Sequence, residues 1–497
     1  MMKNLKMKTG ALKILLLVLL SGLVSLAASA QTVSKLADLV TGQDQFGTGF
    51  GPSTPQCRFT LVGTNLWFTG NAGGAAGAGG VFSFDLSTSN VTQLATFDNS
   101  TGKNPWAASI AIADGKGWFT TSVGGTGNKG SLCSIDLATY AVSNVYSFPT
   151  NDYLTSFNGQ SPHSTPVQIG GELWFTCSAG GLASAFGTIT KYNLTNGTVT
   201  DAFKLDGTTS GRQPLGSSLV SVGSNAWYYL TFAGGTNIAG GTPNGAGVLG
   251  KLTFNNLNQP VLTTVTNLTG RFISFPAGDP VFDGTNFLYF TTAGVSTNPG
   301  AIVRYSLGNG TLTSLFNFVS NAVATTNFGK QPYGTPVLYN HELYFTTLSG
   351  GTTGKGILGK LSLSNNVVTK LADFEGATGL ALGASPQYNG GTVFTNPVDG
   401  RIGIYFPINK GGLNNNNGTI VRVNLPPPPI VARLRSADGG EVQLSWTGGY
   451  SPFNVDAKFS ALSGAWTTNW LPGLNTNVVT FPATNSDAFF RVQGASE

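Results

Sequence analysis

The chain has 497 residues, with 26 Lys and Arg against 21 Asp and Glu, 69 glycines and 40% apolar residues. Only 9% of residues are charged, which excludes a disordered polyelectrolyte, while the apolar share is ample for a core and the glycines announce turns throughout. Three cysteines are too few for a disulfide framework.

Lys3, Lys6, Lys8 and Lys13 precede an apolar run from Ile14 to Ala27, and Ala28-Ser29-Ala30 has the small-x-small form of a cleavage site. Residues 1–30 read as a signal peptide, so export is expected, to a secreted, periplasmic or cell-surface location. The run is short for a bilayer and no stop-transfer segment follows, so no transmembrane anchor is expected after cleavage. Removing the leader leaves 22 cations against 21 acids. That balance has no basic stripe for phosphate, which argues against nucleic acid as a partner.

Seven aromatic pairs punctuate the rest: "LWFTG" at Trp67, "GWFTT" at Trp118, "LWFTC" at Trp174, "AWYYL" at Trp227, and "LYFTT" at Tyr289 and Tyr344, then "IYFPI" at Tyr405. Their spacings of 51, 56, 53, 62, 55 and 61 residues mark one repeated unit. A Gly-Gly pair begins six residues after the aromatic at Gly73, Gly124, Gly180, Gly350 and Gly411, and slips by one at Gly234. Such pairs supply the positive φ of a sharp loop. Each unit adds a short run before the aromatic and two alternating runs after it, as in "TITKYNL" and "TVTDAFKL", which are parted by Asn-Gly. Four antiparallel strands, a to d, follow from each unit.

A lone four-stranded sheet cannot bury both faces, so the units must stack as a ring or as an open solenoid. The seventh unit runs from its strand c at Thr419 into Pro426–Pro429 without a strand d. The orphan run Val33-Ser34-Lys35-Leu36-Ala37-Asp38-Leu39 matches strand d of the sixth unit, Val368-Thr369-Lys370-Leu371-Ala372-Asp373-Phe374, position by position. The expected fold is all-β: a seven-bladed β-propeller of four-stranded blades over residues 31–425, closed by the N-terminal strand (31–40), then a proline linker (426–429) and a small β-sandwich (430–497).

The aromatic pair with Thr-Thr, the Gly-Gly about six residues on, and strands ending "SF" or "DF" resemble the bacterial choice-of-anchor tandem repeat called GloVer. "GWFTTSVGGTGNKGSLCSIDL" from Gly117 and "LYFTTLSGGTTGKGILGKLSL" from Leu343 carry the resemblance best. It covers about residues 31–425, with Phe where the family pattern has Gly, and it implies export and a repeat architecture without a shared reaction. "QLSW", "WTTNW" and the terminal "FFRV" of residues 430–497 resemble fibronectin type III-like modules, with Trp446, Trp466 and Trp470 as core candidates. Ser436 to Gly440 reads as a hairpin turn.

Catalytic motifs are scarce. His163 precedes a strand a and His341 lies in an a-to-b turn, connections that emerge on opposite faces of a propeller, so no shared metal site or Ser-His pair is expected. No cofactor is expected either. Glu172 and Glu342 share one repeat position, which speaks for structure. Asp44, Asp152 and Asp279 lie in d-to-a connections and are weak candidates for a glycosidase-like pair. Cys57, Cys133 and Cys177 sit in apolar runs as small buried hydrophobes.

The d-to-a connections and the b-to-c loops share one face, and they carry Trp106, Tyr153, Phe157, His163, Arg212, Arg271, Phe272, Phe328, Lys330 and Tyr333. Aromatics among cations and amides suit a saccharide or peptide, although such rings also staple loops to neighbouring blades. The expected function is a monomeric, exported, non-enzymatic propeller that binds an extracellular or envelope ligand, with polysaccharide among the candidates, through this face. A polysaccharide hydrolase or lyase and a passive scaffold are the alternatives.

Overall fold

The computed structural model describes residues 31–40, 51–150, 158–181, 185–236, 245–269, 272–294, 299–319, 327–396, 400–413, 416–427, 430–437, 441–458, 465–482 and 489–494. The expected leader (1–30), the end of the proline run (428–429) and residues 438–440, where a hairpin turn is expected, lie outside them. Among the described residues every regular element is a β-strand, and no helix is long and apolar enough to cross a membrane. The chain divides into two compact units, one of Val33–Phe394 with Ile404–Val423, the other joining Thr395–Gly403 to Asn424–Glu497.

The first unit is propeller-like, a succession of antiparallel sheets of the same strand order. In the Trp67 sheet, Thr60–Val62, Asn65–Gly70, Gly80–Asp85 and Val91–Thr96 pair in sequence. The same order recurs around Trp118, Tyr228, Tyr289 and Tyr344. The Trp174 sheet gains a fifth strand because Glu172–Gly180 is long enough to pair with both Gly159–Pro162 and Val167–Ile169. The two middle strands are buried on both sides, which is why they read as nearly continuous apolar runs, whereas strand d is only partly buried. Trp67, Trp118 and Trp174 are all core residues.

Strand register corrects one expectation. Val220 lies opposite Tyr228, as Thr60 lies opposite Trp67 and Ala111 opposite Trp118. The fourth anchor is therefore Tyr228 and not Trp227. Counted from Tyr228, Gly234 falls on the common offset of six residues, and the apparent slip disappears. The spacing is kept because these glycines sit against the preceding connection. A Cβ on Gly124, whose φ is 81°, would come 2.7 Å from the Gly102 Cα, and one on Gly411, at φ 79°, would lie 2.6 Å from the Gly383 carbonyl carbon. Backbone packed that closely admits only glycine.

The N-terminal strand Val33–Asp38 pairs antiparallel with Thr419–Asn424 and supplies the fourth strand of the Tyr405 sheet, whose other members are Thr392–Thr395 and Ile402–Ile408. Its details copy those of Val368–Asp373. Both strands shift register at a leucine, Leu36 or Leu371, a bulge that sharpens the local twist. Both carry a Lys–Asp ion pair of 2.8 Å, Lys35 to Asp38 and Lys370 to Asp373. Each aspartate also accepts a loop N–H, from Leu413 at 3.0 Å or from Thr352 at 2.8 Å. Leu39 then enters a core shared by Phe59, Phe68 and Phe82 of the Trp67 sheet and Phe394, Tyr405 and Ile420 of the Tyr405 sheet.

In the second unit, Val431–Ala437, Glu441–Thr447 and Val478–Pro482 form one three-stranded sheet, and Thr467–Leu474, Phe453–Lys458 and Phe489–Gln493 form another. Leu444 and Trp446 of the first pack with Phe453 and Val455 of the second, and Trp470 joins that core. Trp466 stays outside the core and takes the Arg491 guanidinium 4.9 Å above its ring.

Candidate functional site

Each connection into a sheet carries an X-Pro pair: Thr54-Pro55, Asn104-Pro105, Ser161-Pro162, Gln213-Pro214, Phe275-Pro276, Gln331-Pro332 and Ser385-Pro386. The residue before proline is left-handed in every case, with φ from 44° to 59°. A non-glycine residue holds that conformation only where its surroundings compensate. Here the N–H of each donates to the Gly-rich loop of the preceding sheet, as from Asn104 to Ala78 O at 2.9 Å and from Gln213 to Phe186 O at 2.8 Å. The same bond runs from Thr54 to Asn417 O, at 2.9 Å, joining the first sheet to the last.

Just beyond the prolines lies a belt of hydrogen bonds. Two residues before strand a of each sheet stand Arg58, Ser109, Thr165, Ser218, Asp279, Thr335 and Gly390. The Arg58 N–H donates to Ser109 Oγ at 2.8 Å, the Ser109 N–H to Thr165 Oγ1 at 2.9 Å, and the Thr165 N–H to Ser218 Oγ at 3.1 Å. Ser218 N–H continues to Asp279 Oδ1 at 2.5 Å and Asp279 N–H to Thr335 Oγ1 at 2.9 Å. Gly390 has no side chain to offer, so the Thr335 N–H turns to Asn389 O at 3.0 Å, and the Gly390 N–H reaches Cys57 O at 3.4 Å. Arg58 extends over Gly390 to place its guanidinium 2.6 Å from Asp279 Oδ2.

The residues that follow the prolines gather into an aromatic cluster. Trp106 meets His163 edge-on at 4.5 Å between centroids and Tyr388 at 5.0 Å, and Tyr388 meets Tyr333 at 5.6 Å. The cluster joins four different sheet connections, so its rings converge a few residues before strand a of each of those sheets. Tyr388 N–H donates to Tyr333 O, and Gly216 approaches both Ala107 and Tyr388. His163 is buried, and desolvation pushes its pKa down to about 3, so the ring is neutral. Among the described residues neither His163 Nδ1 nor Trp106 Nε1 has a hydrogen-bond partner. Burial raises the phenols of Tyr388 and Tyr333, the first also through its neighbour.

The expected site residues thus separate. Trp106, His163 and Tyr333 meet at the cluster. Lys330 and Arg212 stand on the connections, where they bridge to Ser349 and Ala233. Phe272 packs into the core between the Tyr228 and Tyr289 sheets, and Phe328 into that between the Tyr289 and Tyr344 sheets, so these two rings anchor their loops. Asp279 is buried and held by Arg58 and Ser218 as a structural staple. Asp44, Asp152, Tyr153, Phe157 and Arg271 lie outside the described residues. Glu172 and Glu342 form equivalent 2.7 Å ion pairs with Lys191 and Lys360 on the neighbouring strand. The cysteines are unpaired and buried, with the Cys57 thiol pushed up to about 11 by desolvation.

Tyr388 and Arg58 were missed by sequence reasoning. The prolines could have found them, for they recur seven times, but they stand between 12 and 19 residues ahead of the aromatic anchors, and that variable distance hides the match.

No family model and no curated protein matches the chain. Several solved structures align with the chain at low identity. A puromycin-hydrolysing peptidase of Mycobacterium tuberculosis is 13% identical with a TM-score of 0.44, over 84% of this chain and 62% of the peptidase, so this chain spans less than two thirds of its length. A candidate 6-phosphogluconolactonase of Bacteroides uniformis is 12% identical with a TM-score of 0.42, over 83% of this chain and 95% of that one. TolB of Acinetobacter baumannii is 14% identical with a TM-score of 0.33, over 60% of each chain.

Proposed function

We propose that residues 31–425 form a seven-bladed β-propeller of the GloVer type, closed by its N-terminal strand, that works outside the cytoplasm as a monomeric, non-enzymatic saccharide-binding module. Residues 430–497 serve it as a fibronectin type III-like spacer or attachment. The blade count is supported by the hydrogen bonds that pass from connection to connection and return from Thr54 to Asn417 and from Gly390 to Cys57.

The observation that carries the binding reading is the cluster of Trp106, His163, Tyr333 and Tyr388. Trp106, Tyr333 and Tyr388 are only half-buried, and two ring nitrogens of the cluster lack partners among the described residues. An unpaired buried polar group costs about 1–3 kcal/mol, so each one calls for a physical reason. Flat, half-buried rings suit the apolar faces of a sugar. Asp279 is committed to Arg58, which favours binding over carboxylate catalysis at this position.

A glycan array probed with the chain lacking residues 1–30 tests the proposal. Retention on at least one glycan is expected, and it should be lost in Trp106→Ala and Tyr333→Ala variants whose thermal unfolding is cooperative. Unchanged retention in both variants would sink the reading.

A further inference from the structure

The connections that deliver rings to the cluster also deliver cations. Each connection pairs with its Gly-rich loop through the residue two before its proline: Ser53, Lys103, Gln160, Arg212, Ser274, Lys330 or Ala384. Three of these are cations and none is an acid. In two connections cation and ring share one short motif, Lys103-Asn104-Pro105-Trp106 and Lys330-Gln331-Pro332-Tyr333. The left-handed residue and the proline fix the backbone between them, so cation and ring leave the chain a fixed number of residues apart.

Three carboxylates of the connections are turned onto their own backbone. Asp98 accepts from the N–H groups of Ser100 and Thr101, Asp206 from Thr208 and Ser210, and Glu375 from Leu380. Among the described residues Lys103, Arg212 and Lys330 have no carboxylate within ion-pair distance, so the chain itself does not neutralise them. Arg212 stands 5.8 Å over the Phe186 ring, and its Nε is buried without a partner. A cleft of about 480 Å³ lies beside Lys103, lined by Asn99, Asn104 and Asp98. The chain without its leader is close to neutral, so attraction for an anion at this face is local.

We infer that the ligand of this face is an anionic saccharide, a carboxylate- or sulfate-bearing glycan whose rings rest on Trp106 and Tyr333 and whose acid groups meet Lys103, Arg212 and Lys330. The inference rests on the saccharide reading above and names the class of sugar. Charged contacts at the rim of a site select partners and weaken as salt screens them.

The test compares polygalacturonate with its fully methyl-esterified form, and dextran sulfate with dextran, on the chain lacking residues 1–30. One acidic polymer should bind about tenfold more tightly than its neutral counterpart, and raising the salt should erase most of the difference. Lys103→Gln, Arg212→Gln and Lys330→Gln together should weaken that binding about tenfold without lowering the unfolding temperature. Preference for the sulfated pair over the carboxylated one supports the inference and identifies the acid group. Equal binding of acidic and neutral forms overturns it while leaving the saccharide reading intact. Equal binding of single-stranded DNA overturns it in favour of unselective polyanion attraction. If no polymer binds and the glycan array is also blank, both readings fall.

Discussion

The Arg58 guanidinium lies 2.6 Å from the carboxylate of Asp279, linking two residues that occupy one repeat position in different sheets, 221 positions apart in the chain. Asp279 is almost wholly buried, at 4% side-chain exposure, while Arg58 keeps 37%. Replacing Arg58 by Met strips a buried carboxylate of its counter-charge and should cost about 2–3 kcal/mol, tempered by water on the exposed side. Gly390→Ala should act through the same pair, because its Cβ would fall 2.8 Å from the Arg58 side chain. Urea unfolding of both single variants and the double should give sub-additive losses. Full additivity would mean that Gly390 does not serve Arg58.

Leu39 tests the closure. Its side chain is 1% exposed within the core shared by the first and last sheets, so Leu39→Ala should cost about 2–4 kcal/mol. Deleting residues 31–40 removes that side chain together with a whole strand and exposes the edge of Thr419–Asn424. Calorimetry should show the deletion lowering the unfolding temperature of the repeat region further than Leu39→Ala does.

His163 carries a pH signature. Burial holds its pKa near about 3, below the value of 6.5 for the free side chain, so the unfolded chain takes up the proton first as pH falls. The stability tied to the neutral ring is whole above about pH 6.5 and is lost as the pH drops from there towards about 3. Between pH 7 and pH 5 the parent should lose about 2 kcal/mol more than His163→Gln. Parallel denaturation curves at the two pH values measure this, and identical losses would place the proton uptake elsewhere.

The cysteines should be silent towards a thiol reagent in the folded chain. Desolvation pushes Cys57 to about 11 and Cys177 to about 12, and all three thiols are buried, so thiolate is scarce at neutral pH. A chromogenic disulfide titration should find no reactive thiol before denaturant and three after it.

Much of the fold was legible because it is built from short periods. Buried middle strands write aromatic pairs into each unit, and close loop packing writes Gly-Gly at a fixed offset. The match of Val33–Leu39 to Val368–Phe374 extends to the same bulge, ion pair and loop contact. The fourth anchor was read one residue early because Trp227, Tyr228 and Tyr229 are all aromatic, and only pairing with Val220 tells which one faces the repeat's common environment.

The candidate site was legible in part. Trp106, His163 and Tyr333 could be nominated from their connections, but Phe272 and Phe328 had the same credentials and pack into cores instead. A ring on a loop looks alike in sequence whether it faces ligand or core.

By itself the sequence determined the repeat, its strand order and the pairing of its two ends, since each depends on residues near one another or on a direct match. Only the tertiary structure decided that Arg58 serves Asp279, that Gly390 yields space to Arg58, and that Tyr388 completes the cluster. The belt positions are chemically unlike, being Arg, Ser, Thr, Asp and Gly, so no periodicity announces them. They acquire a common role when distant connections are brought side by side and every buried N–H must find an acceptor.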